Sequence, residues 1–320
     1  MQAVVRKRSP CWRVSCIHSL FGVLLALAAA GVQALEALEV RQAAPGVFLF
    51  QGEIAEQDAR NLGAISNLGF IVGSRCVAVI DTGGSPAVGA ALRASIRSKT
   101  DLPVCYVINT HVHPDHILGN QAFIDDKPVF VGHARLPAAL AARSSHYLAS
   151  AERLMGEAGK GLQPVPPSRT VAVEDELDLG GRTLKLRAWP TAHTDNDLTV
   201  LDEATGTLFA GDLLFVGHLP VVDGKILGWI KVGAALAAMD VQRVVPGHGD
   251  AGDAWREAFA KQGNYLQGLV DQTRSALKAG KTLSQTVSEV GPGDATGWVL
   301  VDLFHRRNVT SAFAELEWEE

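Results

Sequence analysis

The chain has 320 residues, a formal net charge of −5 and 47% hydrophobic residues, enough apolar material for a large buried core. The excess of acid, with no long basic run in the body of the chain, excludes the electrostatic footprint of a nucleic-acid-binding protein.

At the start, Arg6, Lys7, Arg8 and Arg13 precede an uncharged Leu- and Ala-rich stretch from Leu20 to Ala34, closing on Gly31-Val32-Gln33-Ala34. A charged start, a short apolar middle and a small-residue exit are the order of a secretory signal peptide, here residues 1–34. The alternative is an uncleaved signal-anchor, but the apolar stretch is shorter than the roughly 20 residues a spanning helix needs. The expectation is therefore a periplasmic mature chain beginning near Leu35, with no stable membrane span; a tandem-arginine export signal is not evident. Cys11 and Cys16 leave with the signal. Cys76 and Cys105 each lie near the start of an apolar run and outside any Cys-x-x-Cys pattern. They read as inert core thiols, with a disulfide as the lesser alternative in an oxidising compartment.

Further on, Gly46 to Phe50, Asn67 to Val72 and Cys76 to Ile80 read as strands, the last two joined by the turn Gly73-Ser74-Arg75. Pro86 to Ser98 carries Val88, Leu92 and Ile96 at four-residue spacing, which predicts an amphipathic helix. Val104 to Asn109 is again a strand, and strand, helix and strand in that order imply a right-handed parallel crossover. A short helix from Gly119, a strand at Val129 to Val131 and an Ala-rich helix from Leu136 to Ala158 follow, broken by Pro164, Pro166 and Pro167. The second half repeats the strand theme at Thr170 to Val173, Leu177 to Leu179, Thr183 to Arg187, Leu198 to Leu201 and Thr207 to Ala210. A helix from Gly228 to Met239 and a strand from Val241 to Val245 come next. Helices are then expected over Asp253 to Ala279, Thr282 to Val290 (capped by Thr282) and His305 to Leu316. The alternation suggests an α/β sandwich with sheets inside and helices outside. We read a catalytic domain over residues 35–250, with a helical C-terminal extension over 251–320 packed on the same domain.

The chemistry concentrates in Thr110-His111-Val112-His113-Pro114-Asp115-His116, directly after an apolar strand. Imidazole with carboxylate suits zinc best, with iron or manganese as alternatives. Alternate residues His111 and His113 could face one metal, and Asp115 and His116 could turn towards a second position. Three downstream residues, His193, Asp212 and His248, each fall in a loop after an expected strand, so all could converge on one edge of the sandwich. His133, His146, His218 and His305 stand alone and read as ordinary histidines; His218, close after Asp212, is the best of them for a substrate contact. Asn308-Val309-Thr310 matches a glycosylation sequon and reads as coincidence in a bacterial-type exported chain.

The set H-x-H-x-D-H, then a His, an Asp and a final His, resembles the metallo-β-lactamase superfamily over roughly Ala43 to His248. Gly69 to Val72 and Val79-Ile80-Asp81-Thr82-Gly83 match that superfamily's lead-in strands. The resemblance implies an αββα sandwich, with a first metal on His111, His113 and His193, a second on Asp115, His116 and His248, and Asp212 bridging them. Asp81 would support ligands rather than bind metal. More narrowly, Asn109 to Phe123, Val131 to Ala134, Gly211 to His218 and Arg307 to Glu319 resemble the quinoprotein relay system zinc metallohydrolases, a SoxH-related periplasmic branch. That branch implies an association with pyrroloquinoline quinone (PQQ) dehydrogenase systems and fixes no substrate.

Two such cations can share a water and bring its pKa towards neutrality. The expected reaction is attack of a metal-bridging hydroxide on an ester, thioester, lactone or lactam, with Asp115 taking or passing the proton. The alternatives are a mononuclear iron oxidoreductase like the persulfide dioxygenases, and a metal-binding accessory protein of a periplasmic redox relay without turnover. His113 stands where the flavodiiron oxidoreductases carry Glu, which argues against them. Asp212 stands where one lactamase subclass carries Cys, and a subclass lacking a bridging carboxylate also departs from the pattern.

Overall fold

In the computed structural model, residues 1–3, 36–250 and 252–319 are described. The segment read as a signal peptide, residues 1–34, therefore lies almost wholly outside the described residues. Among the described residues, twelve strands form two sheets. The first contains β1 (Arg41–Ala44), β2 (Val47–Phe50), β3 (Leu68–Val72), β4 (Val77–Ile80), β5 (Val104–Ile108), β6 (Val129–His133) and β7 (Arg169–Val171), in that spatial order. The second runs β12-β11-β10-β9-β8, from β8 (Glu174–Asp178), β9 (Thr183–Ala188), β10 (Leu198–Asp202), β11 (Thr207–Phe215) and β12 (Arg243–His248). Strands β4 and β5 pair in parallel across helix α1 (Pro86–Arg97), as the strand–helix–strand order requires. The remaining helices are α2 (Pro114–Ile117), α3 (Leu136–Met155), α4 (Ile226–Ala237), α5 (Trp255–Lys278), α6 (Leu283–Glu289) and α7 (Val301–Leu316), with 3₁₀ turns at Leu118–Asp126 and Gly156–Gly159.

The period-two pattern of the strands sorts the core into layers. Ala78 and Ile80 of β4 meet Leu184, Val200 and Phe209 between the sheets. Val77 and Val79 point the other way, against Val88, Leu92 and Ile96 of α1. These three helix residues are all buried, and each contributes about 1.5–3 kcal/mol. Leu208 and Ala210 of β11 face outward onto Trp229 of α4, Phe259 and Leu266 of α5, and Val309 of α7. The result is helix, sheet, sheet, helix. The described residues from Glu36 onward form one compact unit, helices α5 to α7 included. Helix α6 starts at the expected cap, where Thr282 and Gln285 form a reciprocal capping box,.

Three sequence expectations need correction. Cys76 and Cys105 are joined in a disulfide, their Cα atoms 5.7 Å apart, and are not free core thiols. Val77 opposes Val104 but Ala78 opposes Tyr106, so Cys105 is the extra residue of a bulge beside the residue that follows Cys76. A bulged residue is re-aimed in this way, and no local pattern announces it. Asp212 is not in a loop, because β11 runs on past Ala210 to Phe215. The strand continues through Gly211, whose φ of 53° is left-handed and where a Cβ would come within 2.7 Å of Thr110. His248, too, is the last residue of β12 rather than a loop residue.

Candidate metal centre

Val112 is fully buried among Ile117, Leu136 and Leu140. Because it points into that cluster, His111 and His113 on either side of it turn towards the same space. His113 is the extended residue before α2, and Pro114 opens the helix with its fixed φ,. One turn of α2 then carries Asp115 and His116. The turn is pinned by the His116 carbonyl, which accepts from Thr82 N (2.9 Å) and Asn109 Nδ2 (3.2 Å). Gly247 on β12 leaves room for the neighbouring carboxylate: a Cβ there would overlap Asp212 Oδ1.

All seven residues singled out in the sequence meet. His111, His113, His193 and Asp212 place one donor atom each within 4.8 Å of one another, and Asp115, His116 and His248 do the same. Asp212 stands between the groups: Oδ1 is 3.1 Å from His116 Nε2, while Oδ2 is 3.4 Å from His193 Nε2, 3.7 Å from His111 Nε2 and 3.4 Å from His248 Nε2. Asp115 Oδ2 lies 3.4 Å from both His116 Nε2 and His248 Nε2.

The outer nitrogen of each imidazole decides what the inner one offers. His116 Nδ1 donates to Asp81 Oδ2 (2.8 Å), His193 Nδ1 to the Val221 carbonyl (2.8 Å), and His248 Nδ1 to the Ile65 carbonyl (2.9 Å). His113 Nε2 donates to Asp223 Oδ2 (3.1 Å). Thr110 Oγ1 donates to Asp81 Oδ2 (2.7 Å), so it accepts from His111 Nδ1 at 3.0 Å. With the proton placed outward on all five rings, five lone pairs converge on the two groups. His111 Nε2, His116 Nε2 and Asp212 Oδ1 are buried without a hydrogen-bond partner, which in a protein interior calls for a cation. The donor set fits two divalent metal ions.

The electrostatics agree. Burial holds the His111 imidazolium well below its ordinary range and lowers His193 to about 4. Burial also disfavours charge on His116 and His248, but Asp212 and Asp115 outweigh it, raising His116 well above the usual range and His248 to about 9. Burial works equally against the Asp115 and Asp212 carboxylates, yet His116 and His248 keep both well below the usual carboxylate range. The point between them is built to draw positive charge.

The centre opens into a cleft of about 480 Å³, whose walls include Arg143, His146 and Tyr147 of α3 and Phe304, Arg307 and Ser311 of α7. His218 lines the same cleft, buried, with its ring 5.1 Å from that of His248 and Nδ1 2.6 Å from the Leu219 carbonyl. His133 caps the Arg135 amide and His305 pairs with Tyr265 and the Val290 carbonyl, away from the centre. Sequence reading missed Asp223, which holds His113, and Asn67, whose amide ties the Pro246 and Gly249 carbonyls on either side of His248. Neither sits in a motif. Both find their partners across more than a hundred residues of chain.

A model of the metallo-beta-lactamase superfamily matches residues 63–248, more than half of the chain, with all seven residues inside. Among curated proteins, the linear primary-alkylsulfatase of a Pseudomonas species is 37% identical over 58 residues, 18% of this chain and 11% of that protein. The chain thus matches only about a tenth of that relative's length. A stereoselective inverting sec-alkylsulfatase from Pseudomonas sp. superposes with a TM-score of 0.66 at 15% identity, covering 88% of this chain and 50% of its own. The metallo-beta-lactamase from Pontibacter korlensis gives 0.58 at 20% identity, over 72% of this chain and 99% of its own. That from Hirschia baltica gives 0.55 at 20% identity, over 72% and 98%. At these identities the solved structures show the fold alone.

Proposed function

The chain belongs to the metallo-beta-lactamase superfamily, and from that membership we propose that it is a hydrolase carrying two zinc ions, the first on His111, His113 and His193, the second on Asp115, His116 and His248, with Asp212 between them. The observation that carries this reading is that each of the five imidazoles around Asp212 has a hydrogen-bond partner on its outer nitrogen, which leaves the inner nitrogen to face the centre. A complete second group of donors supports two ions rather than the single iron of a dioxygenase-like site. When bound, the ions supply Lewis acidity and a water ionised near neutral pH.

The chain's own groups do the rest. Asp115 keeps a side chain 13% exposed at the cleft and stays ionised, so its Oδ2 can take a proton from the attacking water and pass it to the leaving group. Tyr147, in the cleft wall, has its phenol pushed up by burial and remains a proton donor to a developing oxyanion. Phe215 stacks parallel on His248 with centroids 5.1 Å apart, shielding that ring from water. The substrate is a small molecule, an ester, thioester, lactone or lactam. A second reading, a sulfate ester, is favoured by the alkylsulfatase relative and by Arg143 and Arg307 in the cleft wall, since guanidinium groups suit oxyanions.

We place the mature chain in the periplasm. The Cys76–Cys105 disulfide supports an oxidising compartment,, and among the described residues no helix is long and apolar enough to cross a membrane. Service to a PQQ-dependent quinoprotein rests on the sequence resemblance. The test is elemental analysis of the mature protein beside hydrolysis assays on carboxylic, thio- and sulfate esters. Two zinc ions with turnover are expected, with metal content lowered and turnover lost in His113→Ala. One iron with oxygen uptake, or metal without turnover and a co-purifying quinoprotein, overturns the hydrolase.

A further inference from the structure

We infer that α7, in the C-terminal extension, positions the first metal group through the strap of residues 217–223, with Asn308 as the central positioning residue. This rests on the reading that His113 and His193 are ligands. One side of the strap is held by the extension. Asn308 is completely buried; its Oδ1 accepts from Val222 N (2.9 Å) and its Nδ2 donates to the Pro220 carbonyl (2.6 Å) and to Tyr265 Oη (2.9 Å). Ser311, one turn on, donates to the Val222 carbonyl (3.0 Å). Val299 pairs with Gly217 and Leu219 through backbone bonds of 2.9 and 3.2 Å.

The other side of the same strap holds the ligands. The Val221 carbonyl accepts from His193 Nδ1, Asp223 Oδ2 accepts from His113 Nε2, and Asp223 N donates to the His193 carbonyl (3.2 Å). Residues 220 and 222 thus face α7 while 221 and 223 face the imidazoles, the alternation of an extended segment. The imidazoles of the second group take their hydrogen bonds elsewhere, His116 with Asp81 and His248 with the Ile65 carbonyl; His248 meets the strap through a ring contact with His218 rather than a hydrogen bond. The buried amide of Asn308 is also out of reach of any glycosylating enzyme, so the sequon there is structural.

Loss of an outer partner lowers metal affinity by about 10–100-fold. Zinc titration of the metal-stripped full chain against a chromophoric chelator, in wild type, Asn308→Ala and Ser311→Ala, tests the inference. The expected result is a rise of at least about tenfold in the dissociation constant of one site with the other unchanged, larger for Asn308→Ala, and a changed Co²⁺ absorption band for that site. Ser311→Ala removes a single hydroxyl and guards against a variant that does not fold. A role confined to packing would lower the melting temperature of the stripped protein and leave both affinities alone, which overturns the inference. If wild type binds two ions and both variants keep both constants, the inference alone fails. If wild type binds none, the metal reading falls with it.

Discussion

Asp81→Asn changes one atom and should disturb both halves of the centre. Asp81 directly follows β4, lies in the left-handed region (φ 56°) and is 2% exposed; Asn is at home in that conformation, so no backbone strain is added. Its Oδ1 accepts from Thr110 N (2.8 Å), and Oδ2 accepts from both Thr110 Oγ1 and His116 Nδ1. Asn has one oxygen. If it keeps the Thr110 amide, its NH₂ faces two donors. Thr110 can then turn its hydroxyl proton towards His111 Nδ1, which forces the His111 proton onto Nε2. His116 is driven to the same tautomer, and each group loses one lone pair. If the rings do not adjust, two charge-assisted hydrogen bonds are lost, at about 1.5–3 kcal/mol each. If they do, stability is largely kept and the cost moves to metal binding, about 10–100-fold per ligand. The assay is zinc titration with a competing chelator beside thermal melts of the stripped proteins. An Asp81→Asn protein with wild-type zinc constants at both sites and an unchanged melt would refute the tautomer argument.

Three further outcomes are expected. Burial raises the Asp197 carboxyl to about 7, against which Thr194 N and Oγ1 donate to it. A folded pKa above the unfolded 3.8 means its favourable contribution is complete below pH 3.8 and is lost as pH rises to about 7. Asp197→Asn should therefore stabilise the metal-stripped protein at pH 8, by up to about 4 kcal/mol for three pKa units, and not at pH 4; equal melting shifts at both pH values would show that ionisation is not the cause. Reduction of Cys76–Cys105, which closes a separation of 29 residues, should cost about 3–4 kcal/mol in the chain-entropy account, measured by urea unfolding with and without reductant; an unchanged midpoint counts against it. Stripping zinc from a protein held at about 100 times the dissociation constant should remove about 2.7 kcal/mol per site. A melt indifferent to chelator would mean that the centre does not hold metal in the folded state.

Much of the architecture was legible because its causes are local. Val88, Leu92 and Ile96 drew α1, the turn after Val72 drew the β3–β4 hairpin, and Thr282 drew the start of α6, since helix and strand periods and caps depend on neighbours a few residues away. The seven donors were legible for a chemical reason: few residue types bind metal, and three imidazoles and a carboxylate in six positions are conspicuous. By itself, then, the chain's order of residues determined the layers and pointed to the seven residues that meet at the candidate centre.

Tertiary structure alone decided the rest. Gly211 carries β11 onward into Asp212 because β12 lies beside it and Thr110 leaves no room for a Cβ. The bulge that brings Cys105 to Cys76 belongs to the pairing of β4 with β5, not to either strand. Asp223 and Asn308 look like any polar residues until residues 220–223 are seen between α7 and the imidazoles. These are contacts between groups about 30 to more than 100 residues apart, and a hydrogen bond at that separation leaves no mark on the local periodicity from which helices and strands are read.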